Sequence, residues 1–364
     1  MRKYVFRRIL FFPISLLALA IASFILLKAI PGNPAELKLI READVSRSDH
    51  QTDQVALTML EEKYGLNLPL FYFEVVPSEN NIWIPSVNFH VDNQFHRWFF
   101  GDGFNNAGII RGDFGISYAT AQPVSQLISS RIWWSVLLAL FSVLLAYFLS
   151  IPIGLKSAAS PGSVFDKSSN TLLTILYSIP SFWFATLLLM LFANPEFLSI
   201  FPASGVKPLG GMENDSMLDR ITAILPYLVL PTITYTYSSL AFISRTVRIS
   251  ILDILRLDFI QTARAKGLEE DKVLRRHAFR NALLPVITIF SGVFPAAIGG
   301  SVIIESIFSI PGMGLTIYQS IDARDYPVIM AVFIITGLIT MTGYLISDIL
   351  YALADPRISF QKEN

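Results

Sequence analysis

Six continuous apolar runs interrupt the mixed pattern of polar and apolar positions along this chain. A helix needs about 20 apolar residues to cross the hydrocarbon core of a bilayer, and each run approaches or exceeds that length. The runs are Ile9–Ile30, Trp133–Ile153, Leu172–Phe192, Ala223–Ile243, Val286–Ile304 and Val328–Leu350. Because their apolar residues are continuous rather than alternating, the runs predict helices and not barrel strands. The pattern therefore predicts an all-α integral membrane protein with six transmembrane helices.

The fourth run is the least apolar of the six. It contains Pro226, Pro231 and the polar stretch Tyr235–Ser239. The composition still supports a membrane protein, since 53% of all residues are hydrophobic, 15% are charged and the mean hydropathy is +0.53. Soluble domains carry about 25% charged residues. An ordinary soluble enzyme is therefore excluded.

The first run has two interpretations, a cleaved signal peptide or a retained anchor. Basic residues precede it, as in a signal peptide, but a signal core is only about 7–15 residues long. No small-x-small cleavage pattern follows the run, so a retained anchor is favoured. Lys28 lies near the outer end of this span and can reach the interface with its ammonium group.

The charged residues predict the orientation, although 28 Lys and Arg balance 28 Asp and Glu overall. Nine Lys or Arg residues lie between Arg245 and Arg280, and four precede the first run. The loop between the fifth and sixth runs holds only Arg324. Because short cytoplasmic loops are rich in Lys and Arg, both termini are predicted to be cytoplasmic. The chain is predicted to divide into three parts. Residues 1–30 form the cytoplasmic N-terminus and the first span, and residues 31–131 form a sizeable extracytoplasmic segment. Residues 132–364 form a five-helix membrane domain, which includes a cytoplasmic coupling segment at 245–285.

The extracytoplasmic segment divides into two parts. From Ala35 to Tyr72 the helical spacing of apolar residues predicts helices. From Val75 to Gly108 the chain is rich in Asn, Phe and Trp, and Asn81–Ile84 alternates like a strand. This second part is either a packed structural lobe or a contact surface for a soluble partner. His90 and His96 lie within it and are interpreted as surface residues, not as a metal site.

The basic segment has a helix–glycine–helix pattern. Asp258–Gly267 predicts a short helix that a glycine ends. A second helix follows, with acids at 269–271, bases from Lys272 to Arg280, and an apolar stripe formed by Leu274, Ala278 and Ala282. The segment is either a topology signal with a solvated face or a docking surface for a cytoplasmic protein. The paired helices favour the docking surface.

Several kinds of chemistry are missing from the sequence. There is no cysteine, which excludes disulfides, thiolate metal sites and a cysteine nucleophile. There is no Gly-Lys dipeptide, so the chain lacks a Walker A phosphate loop. No catalytic residue, metal site or nucleic-acid interface is predicted. Two acids in or near the spans, Glu305 and Asp348, are functional candidates by default, and pairing or solvation is the alternative for Asp348.

The third, fourth and fifth runs are predicted to line a translocation path. The fifth run has small residues at four-residue spacing, which allow helices to approach closely. The third and fourth runs have polar or proline-broken points within their apolar sequence. The alternative for any single one of these residues is simple helix packing. The candidates are Ser178, Pro180, Tyr235, Ser238, Gly292, Ala296, Gly300 and Glu305.

Eight short motifs, in this order along the chain, resemble the permease subunits of dipeptide, oligopeptide and nickel ABC importers. The resemblance covers nearly the whole length. The motifs are Ile30–Pro34, Gly112–Ser117, Gly162–Asp166, Thr262–Gly267, His277–Pro285, Glu305–Gly314, Arg324–Pro327 and Asp355–Ile358. Val75–Gly108 departs from the family pattern as an insertion.

The resemblance implies the type I ABC importer permease fold in a bacterial inner membrane. It also implies a second homologous permease, two cytoplasmic ATPases that bind ATP and magnesium, and an extracytoplasmic solute-binding protein. This chain itself is then expected to bind no cofactor. The segment 258–285 is expected to couple to the ATPases. The coupling residues that the resemblance assigns are Gln261, Thr262, Ala263, Arg264, Ala265, Lys266 and Gly267.

One position of the coupling motif departs from the general importer pattern, which begins Glu-Ala-Ala. Gln261 stands in the position of the Glu, so an essential carboxylate is not expected there. The function that the sequence favours is a permease for peptides or similar small solutes, with a nickel chelate or glutathione as alternative cargo. An ion-driven secondary transporter and a membrane sensor or anchor are the alternatives from other classes.

Overall fold

The computed structural model describes residues 2–30, 32–42, 50–78, 81–102, 107–206, 216–292 and 301–354. This part of the chain is mostly helical and contains one β-hairpin. In chain order the elements are α1 (Arg2–Lys28), α2 (Pro34–Glu42), α3 (His50–Tyr64), β1 (Phe73–Ser78), β2 (Asn81–Phe89), α4 (Gln94–Phe99), α5 (Val124–Ala159), α6 (Val164–Ser178), α7 (Ser181–Phe192), α8 (Met217–Ile254), α9 (Asp258–Ala265), α10 (Glu270–Lys272), α11 (Phe279–Ser291), α12 (Val302–Ile307), α13 (Met313–Ala323) and α14 (Tyr326–Ala354).

The chain forms two compact units. We call residues 16–130 and 317–335 the hairpin unit, and residues 1–15, 131–316 and 336–364 the helical unit.

The β-hairpin corrects the prediction of an all-α fold. Strands β1 and β2 pair antiparallel, with Phe73 opposite Phe89. The alternation seen at Asn81–Ile84 correctly predicted a strand there. The helices predicted between Ala35 and Tyr72 are present as α2 and α3, which end well before the hairpin.

The hairpin unit has an aromatic core. The ring of Phe24, on α1, lies 5.2 Å from that of Phe71, 5.4 Å from that of Phe95 and 5.7 Å from that of Trp98, measured between ring centroids. Tyr326 belongs to the same buried cluster. Edge-on and tilted contacts of this kind stabilise more than burial alone. They hold the end of α1 to α4.

Three of the six predicted spans are long, apolar helices in the described residues. They lie at Phe6–Lys28, Val124–Ala159 and Tyr326–Tyr351. The fourth predicted span lies inside α8, a continuous helix of 38 residues that includes both Pro226 and Pro231. The fifth begins in α11 and ends in α12, and residues 293–300 between them lie outside the described part.

The third predicted span is not one straight helix. Its sequence forms α6 and α7, which meet at an angle of 97°. The cause is Pro180, because a proline disfavours helical backbone at the residue before it. Ile179 is accordingly extended, with φ −80° and ψ 125°. The Tyr237 hydroxyl of α8 donates to the freed Ile179 carbonyl at 2.7 Å, so the bend is held by a neighbouring helix.

Helices α5 and α8 pack closely in the helical unit. A side chain at Gly154 would place its Cβ 2.7 Å from the Cβ of Val247, so only glycine fits this contact. The Ser150 hydroxyl donates to the Leu240 carbonyl at 3.1 Å. Small residues and polar side chains that bond across the interface are typical of helix pairs in membranes.

A buried ion pair joins α6 to α8. Two guanidinium nitrogens of Arg248 donate to the two carboxylate oxygens of Asp166, at 2.7 and 2.8 Å. The Ser157 hydroxyl and the Gly162 backbone N–H also donate to Asp166, the latter at 2.8 Å. The Asp166 side chain is only 4% exposed. Its charge is therefore compensated by several donors, as a buried carboxylate requires.

We expect Asp166→Asn to destabilise the helical unit, because it leaves the Arg248 charge largely buried without its partner. Loss of one member of a buried ion pair costs about 3 kcal/mol or more. Thermal unfolding of the purified protein in detergent should show a clearly lowered midpoint. Asp271→Asn is the matched control, since Asp271 pairs with Arg275 on the surface. Equal midpoints for the two variants would contradict this account of Asp166.

Candidate functional site

The basic segment folds as a helix, a glycine turn and a helical stretch. Gly267 has φ +77°, a left-handed conformation that residues with a Cβ rarely adopt. Its N–H donates to the Arg264 carbonyl at 2.9 Å, and the Leu268 N–H donates to the Ala263 carbonyl at 3.4 Å. These two bonds form a Schellman motif, the common glycine-dependent end of a helix. The predicted helix and its glycine stop are therefore confirmed.

The second helical stretch contains a local irregularity. After α10, residues Val273–Ala278 form a π-helical turn, and α11 then begins at Phe279. Turns of this kind occur mostly as single insertions in helices. Of the predicted apolar stripe, Ala278 and Ala282 are fully buried and Leu274 is half-buried. The stripe was predicted correctly, and the π-helical turn was not predicted.

Helix α9 is fixed to the helical unit by one face. Ile260 and Ala263 are buried in a cluster with Val247 and Ile251 of α8 and with Val273. The Arg264 guanidinium donates to the Glu270 carboxylate at 2.6 Å, which ties α9 to the start of α10. The helix is thus attached both to α8 and to the stretch that leads into α11.

The opposite face of α9 is exposed. Five of the seven residues predicted to couple lie on it, and two do not. Gln261, Thr262, Ala265, Lys266 and Gly267 are exposed, whereas Ala263 is buried and Arg264 is half-buried. Two large apolar side chains are exposed beside them, Leu257 at 49% and Phe259 at 43%. Exposed apolar side chains beside polar ones and the single cation Lys266 make a surface available to a protein partner. We call the residues of this exposed face, with Leu257 and Phe259, the α9 surface.

The predicted path residues are mostly exposed in this chain. Ser178, Pro180, Ser238 and Gly292 are exposed, and Tyr235 is half-buried. The Ser178 hydroxyl donates to the Thr174 carbonyl of its own helix at 2.9 Å. Ala296 and Gly300 lie outside the described residues. Four of the predicted path residues are therefore accessible on the surface of this chain.

Glu305 differs from the other path residues because it is fully buried. Its Oε1 accepts the Ser135 hydroxyl at 2.7 Å, and its Oε2 accepts the Leu315 N–H at 2.8 Å. The Ser135 oxygen in turn accepts the Met313 N–H at 2.7 Å. Glu305 and Ser135 together satisfy N–H groups at the start of α13, where a negative charge is stabilising. Both carboxylate oxygens are thus used in fixing a helix end.

Glycine at 312 makes this arrangement possible. A Cβ at Gly312 would lie between 2.4 and 2.6 Å from the carboxylate atoms of Glu305. At Gly314 a Cβ would lie 2.7 Å from the Val302 backbone nitrogen. The two glycines of the Glu305–Gly314 motif therefore allow α13 to approach the buried carboxylate and α12.

Two further buried carboxylates were missed by the reasoning from sequence. They are Asp166, described above, and Asp325 of the hairpin unit. Asp325 accepts the Ser117 hydroxyl and, at 2.9 Å, the Tyr118 N–H. Both acids lie in motifs that carry the family resemblance, which was the available signal. Asp348, which was singled out, is paired with Arg8.

The histidines of the hairpin unit show no metal-site geometry. His96 Nδ1 lies 2.7 Å from the Tyr72 hydroxyl, and His90 Nε2 lies 3.5 Å from a carboxylate oxygen of Glu74. Within the described ranges, no group of three or more His, Asp or Glu side chains is arranged to hold a metal ion.

Comparison with known proteins connects this geometry to a family. The family model described as "Binding-protein-dependent transport system inner membrane component" matches residues 150–360. The oligopeptide transport system permease protein AppB of Bacillus subtilis is 38% identical over 361 residues, which cover 99% of this chain and 100% of that protein. The chain belongs to this family of binding-protein-dependent permeases. It is an inner-membrane permease component of an ABC importer, as its motifs predicted.

Two further similarities extend the comparison. The peptidoglycan transport system permease protein YejB of Agrobacterium fabrum is 38% identical over 259 residues, which cover 70% of this chain and 70% of that protein. A chain from the solved MetNI methionine ABC transporter, in inward-facing conformations, has a TM-score of 0.45 and 17% identity. That likeness covers 62% of this chain and 97% of the MetNI chain.

We expect Gly312→Ala to destabilise this permease by about 1–3 kcal/mol, the usual cost of overpacking a filled site. The added methyl group displaces the Glu305 carboxylate from the start of α13. Thermal unfolding in detergent measures the effect. Gly292→Ala is the control, because the nearest described atom that a Cβ there would meet is the Ile289 carbonyl oxygen, at 3.4 Å. If both variants unfold at the wild-type temperature, the Glu305 site is not tightly packed.

Proposed function

We propose that this chain is the permease subunit of an ATP-driven importer for peptides or similar small solutes. We also propose that it couples to cytoplasmic ATPases through residues 258–285. The observation that carries the proposal is the α9 surface. This exposed face carries apolar and basic side chains, and the other face of the same helix is buried against α8. A helix held in this way passes a force applied to its outer face into the spans.

Membership of a binding-protein-dependent family supports the remaining subunits of this proposal. A second homologous permease, two ATPases and an extracytoplasmic solute-binding protein complete the importer. ATP and magnesium bind to the ATPases, and this chain binds no cofactor. In this arrangement the chain has the type I importer fold with six spans and both termini in the cytoplasm. Residues 31–131 then face the solute-binding protein.

The contacts of α9 suggest how the motion is passed on. ATP binding closes the ATPase pair and moves the α9 surface. Ile260 and Ala263 transmit this movement to α8 at Val247 and Ile251. Arg264 and Glu270 transmit it to α10 and, through the π-helical turn, to α11. Helices α8 and α11 then change from the inward-open to the outward-open arrangement.

The path for the cargo is proposed to run along α7, α8 and α11. Ser178 and Pro180 lie at the bend before α7, Tyr235 and Ser238 lie on α8, and Gly292 ends α11. Exposed polar groups within apolar helices are tolerated where they line a water-filled cavity. Ala296 and Gly300 follow Gly292 in sequence and are included in the proposed path. Glu305 supports the path indirectly, because its carboxylate fixes the start of α13.

The cargo class is proposed from the relatives. One is named as an oligopeptide permease, and the other as a permease for peptidoglycan, which is also a peptide-bearing compound. Uptake of a labelled oligopeptide by cells that express the intact importer tests the assignment. Unlabelled peptides should compete, whereas a nickel chelate or glutathione should not. Competition by either of these alone would replace the peptide assignment.

We expect Ala265→Trp to abolish copurification of the ATPases and ATP-dependent uptake. Ala265 is exposed on the α9 surface, so the indole blocks docking without disturbing the fold of this chain. The readout is the amount of ATPase recovered with the tagged permease, together with peptide uptake. Gln126→Trp, at an exposed position of α5 in the hairpin unit, is the control for ATPase recovery alone, because this position lies in the region proposed to face the solute-binding protein. ATPase recovery at the wild-type level with Ala265→Trp would refute docking at α9.

We expect Gly292→Leu to reduce uptake at least tenfold while the ATPases still copurify. Gly292 is exposed, and among the described residues a Cβ at this position meets only the Ile289 carbonyl, at 3.4 Å, so we expect the leucine to project into the proposed path. Gly292→Ala is the matched small substitution and should retain most of the uptake. Normal uptake by Gly292→Leu would remove α11 from the path.

A further inference from the structure

A cavity of about 190 Å³ lies in the hairpin unit where α1 ends. Lys28 and Tyr326 line it, together with Gly32 and Asn33 of the following turn and Gln94 of α4. The proposed path and the α9 surface do not include this cavity, since both belong to the helical unit.

The charge around the cavity is positive. The Lys28 ammonium lies 5.3 Å from the ring centroid of Tyr326 and 5.9 Å from that of Phe24. The Arg324 guanidinium packs directly against Gly32, so closely that a side chain at 32 would overlap it. The nearby acid Glu61 accepts a hydrogen bond from the Asn33 amide. Lys28 and Arg324 therefore place two cations beside the turn, while Glu61 is bonded to Asn33 and Asp325 to Ser117 and Tyr118.

Donor groups at the cavity are left for a ligand. Tyr326 is only 3% exposed, and its hydroxyl has no hydrogen-bond partner among the described residues. Lys28 has ring contacts, but it forms no hydrogen bond or ion pair within the same described ranges. The Gln94 amide is already used, because it donates to the Leu66 and Leu68 carbonyls. An unpartnered buried hydroxyl is costly, which favours an acceptor from outside the chain.

The position of the cavity identifies the kind of ligand. Lys28 is the last residue of one helix long and apolar enough to span a membrane, and Tyr326 is the first residue of another. Lysine and tyrosine at such ends lie at the level of the lipid headgroups. Beside them Leu26 and Ile30 are 68% and 45% exposed, so apolar surface continues from the cavity along α1.

We propose that this cavity binds the phosphate group of an anionic phospholipid. A phosphate oxygen accepts charge-assisted hydrogen bonds from Lys28 and Arg324, and a bond from the Tyr326 hydroxyl. The acyl chains lie against Leu26 and Ile30. Basic pockets between membrane helices bind anionic headgroups at the cytoplasmic side of membranes, and the same attraction between cation and phosphate applies at this outer end of α1. The lipid joins the end of α1 to the start of α14 within the hairpin unit.

Native mass spectrometry of the full chain with its copurifying subunits tests the proposal. Phosphatidylglycerol, phosphatidylcholine and inorganic phosphate are titrated separately into delipidated protein. The wild type should retain phosphatidylglycerol in preference to phosphatidylcholine. Lys28→Gln should weaken phosphatidylglycerol binding about tenfold, as expected for loss of one charged hydrogen bond.

Two further variants keep the experiment decisive. Lys28→Arg preserves the charge and should retain the lipid, which separates a charge effect from misfolding. Lys156→Gln removes a matched lysine near the end of α5, whose ammonium lies 4.5 Å from the Phe165 ring, and should change nothing. Equal lipid retention by wild type and Lys28→Gln would overturn the proposal. Binding of inorganic phosphate that matches or displaces the lipid would overturn the lipid as the source.

Discussion

A carboxylate buried among apolar helices has to find its hydrogen-bond donors inside the chain, because little water reaches it. Asp166, Glu305 and Asp325 meet this requirement in the same way. Each accepts a serine hydroxyl and at least one backbone N–H, from Ser157 and Gly162, from Ser135 and Leu315, and from Ser117 and Tyr118 respectively. Each also joins segments that are distant in sequence, since Asp166 bonds to Arg248, Glu305 to Ser135 and Asp325 to Ser117, over 82, 170 and 208 residues respectively.

The position of the α9 surface also depends on one of these buried carboxylates, Asp166. Helix α9 is only eight residues long, and a helix of that length is unstable alone. It keeps its position because Ile260 and Ala263 are buried against α8, and α8 is held to α6 by the Arg248–Asp166 pair. A partner that pushes on α9 therefore acts on a connected set of helices and not on a flexible loop.

The sequence predicted the local features of the site well and its long-range features poorly. Helix α9, its stop at Gly267 and the buried stripe through Ala278 and Ala282 follow from short-range rules of capping and periodicity. The bend at Pro180 is also a local effect, yet its stability depends on the Tyr237 hydroxyl, 58 residues away. The bonds of Asp166 to Arg248, of Glu305 to Ser135 and of Asp325 to Ser117 likewise join residues that no local pattern relates. Conversely, α8 contains Pro226 and Pro231 and stays helical, so tertiary packing overrides a local breaker there.

The two acids that first stood out in or near the spans have structural partners. Glu305 has both oxygens bonded at the start of α13, and Asp348 is paired with Arg8. An ion-driven transporter needs intramembrane acids that exchange their partners during the cycle, and these two are engaged in fixing helices. In an ABC importer the energy enters instead through protein contacts outside the membrane. The chain's exposed α9 surface and its fully compensated carboxylates are consistent with that division, in which charges hold the helices and a docked partner moves them.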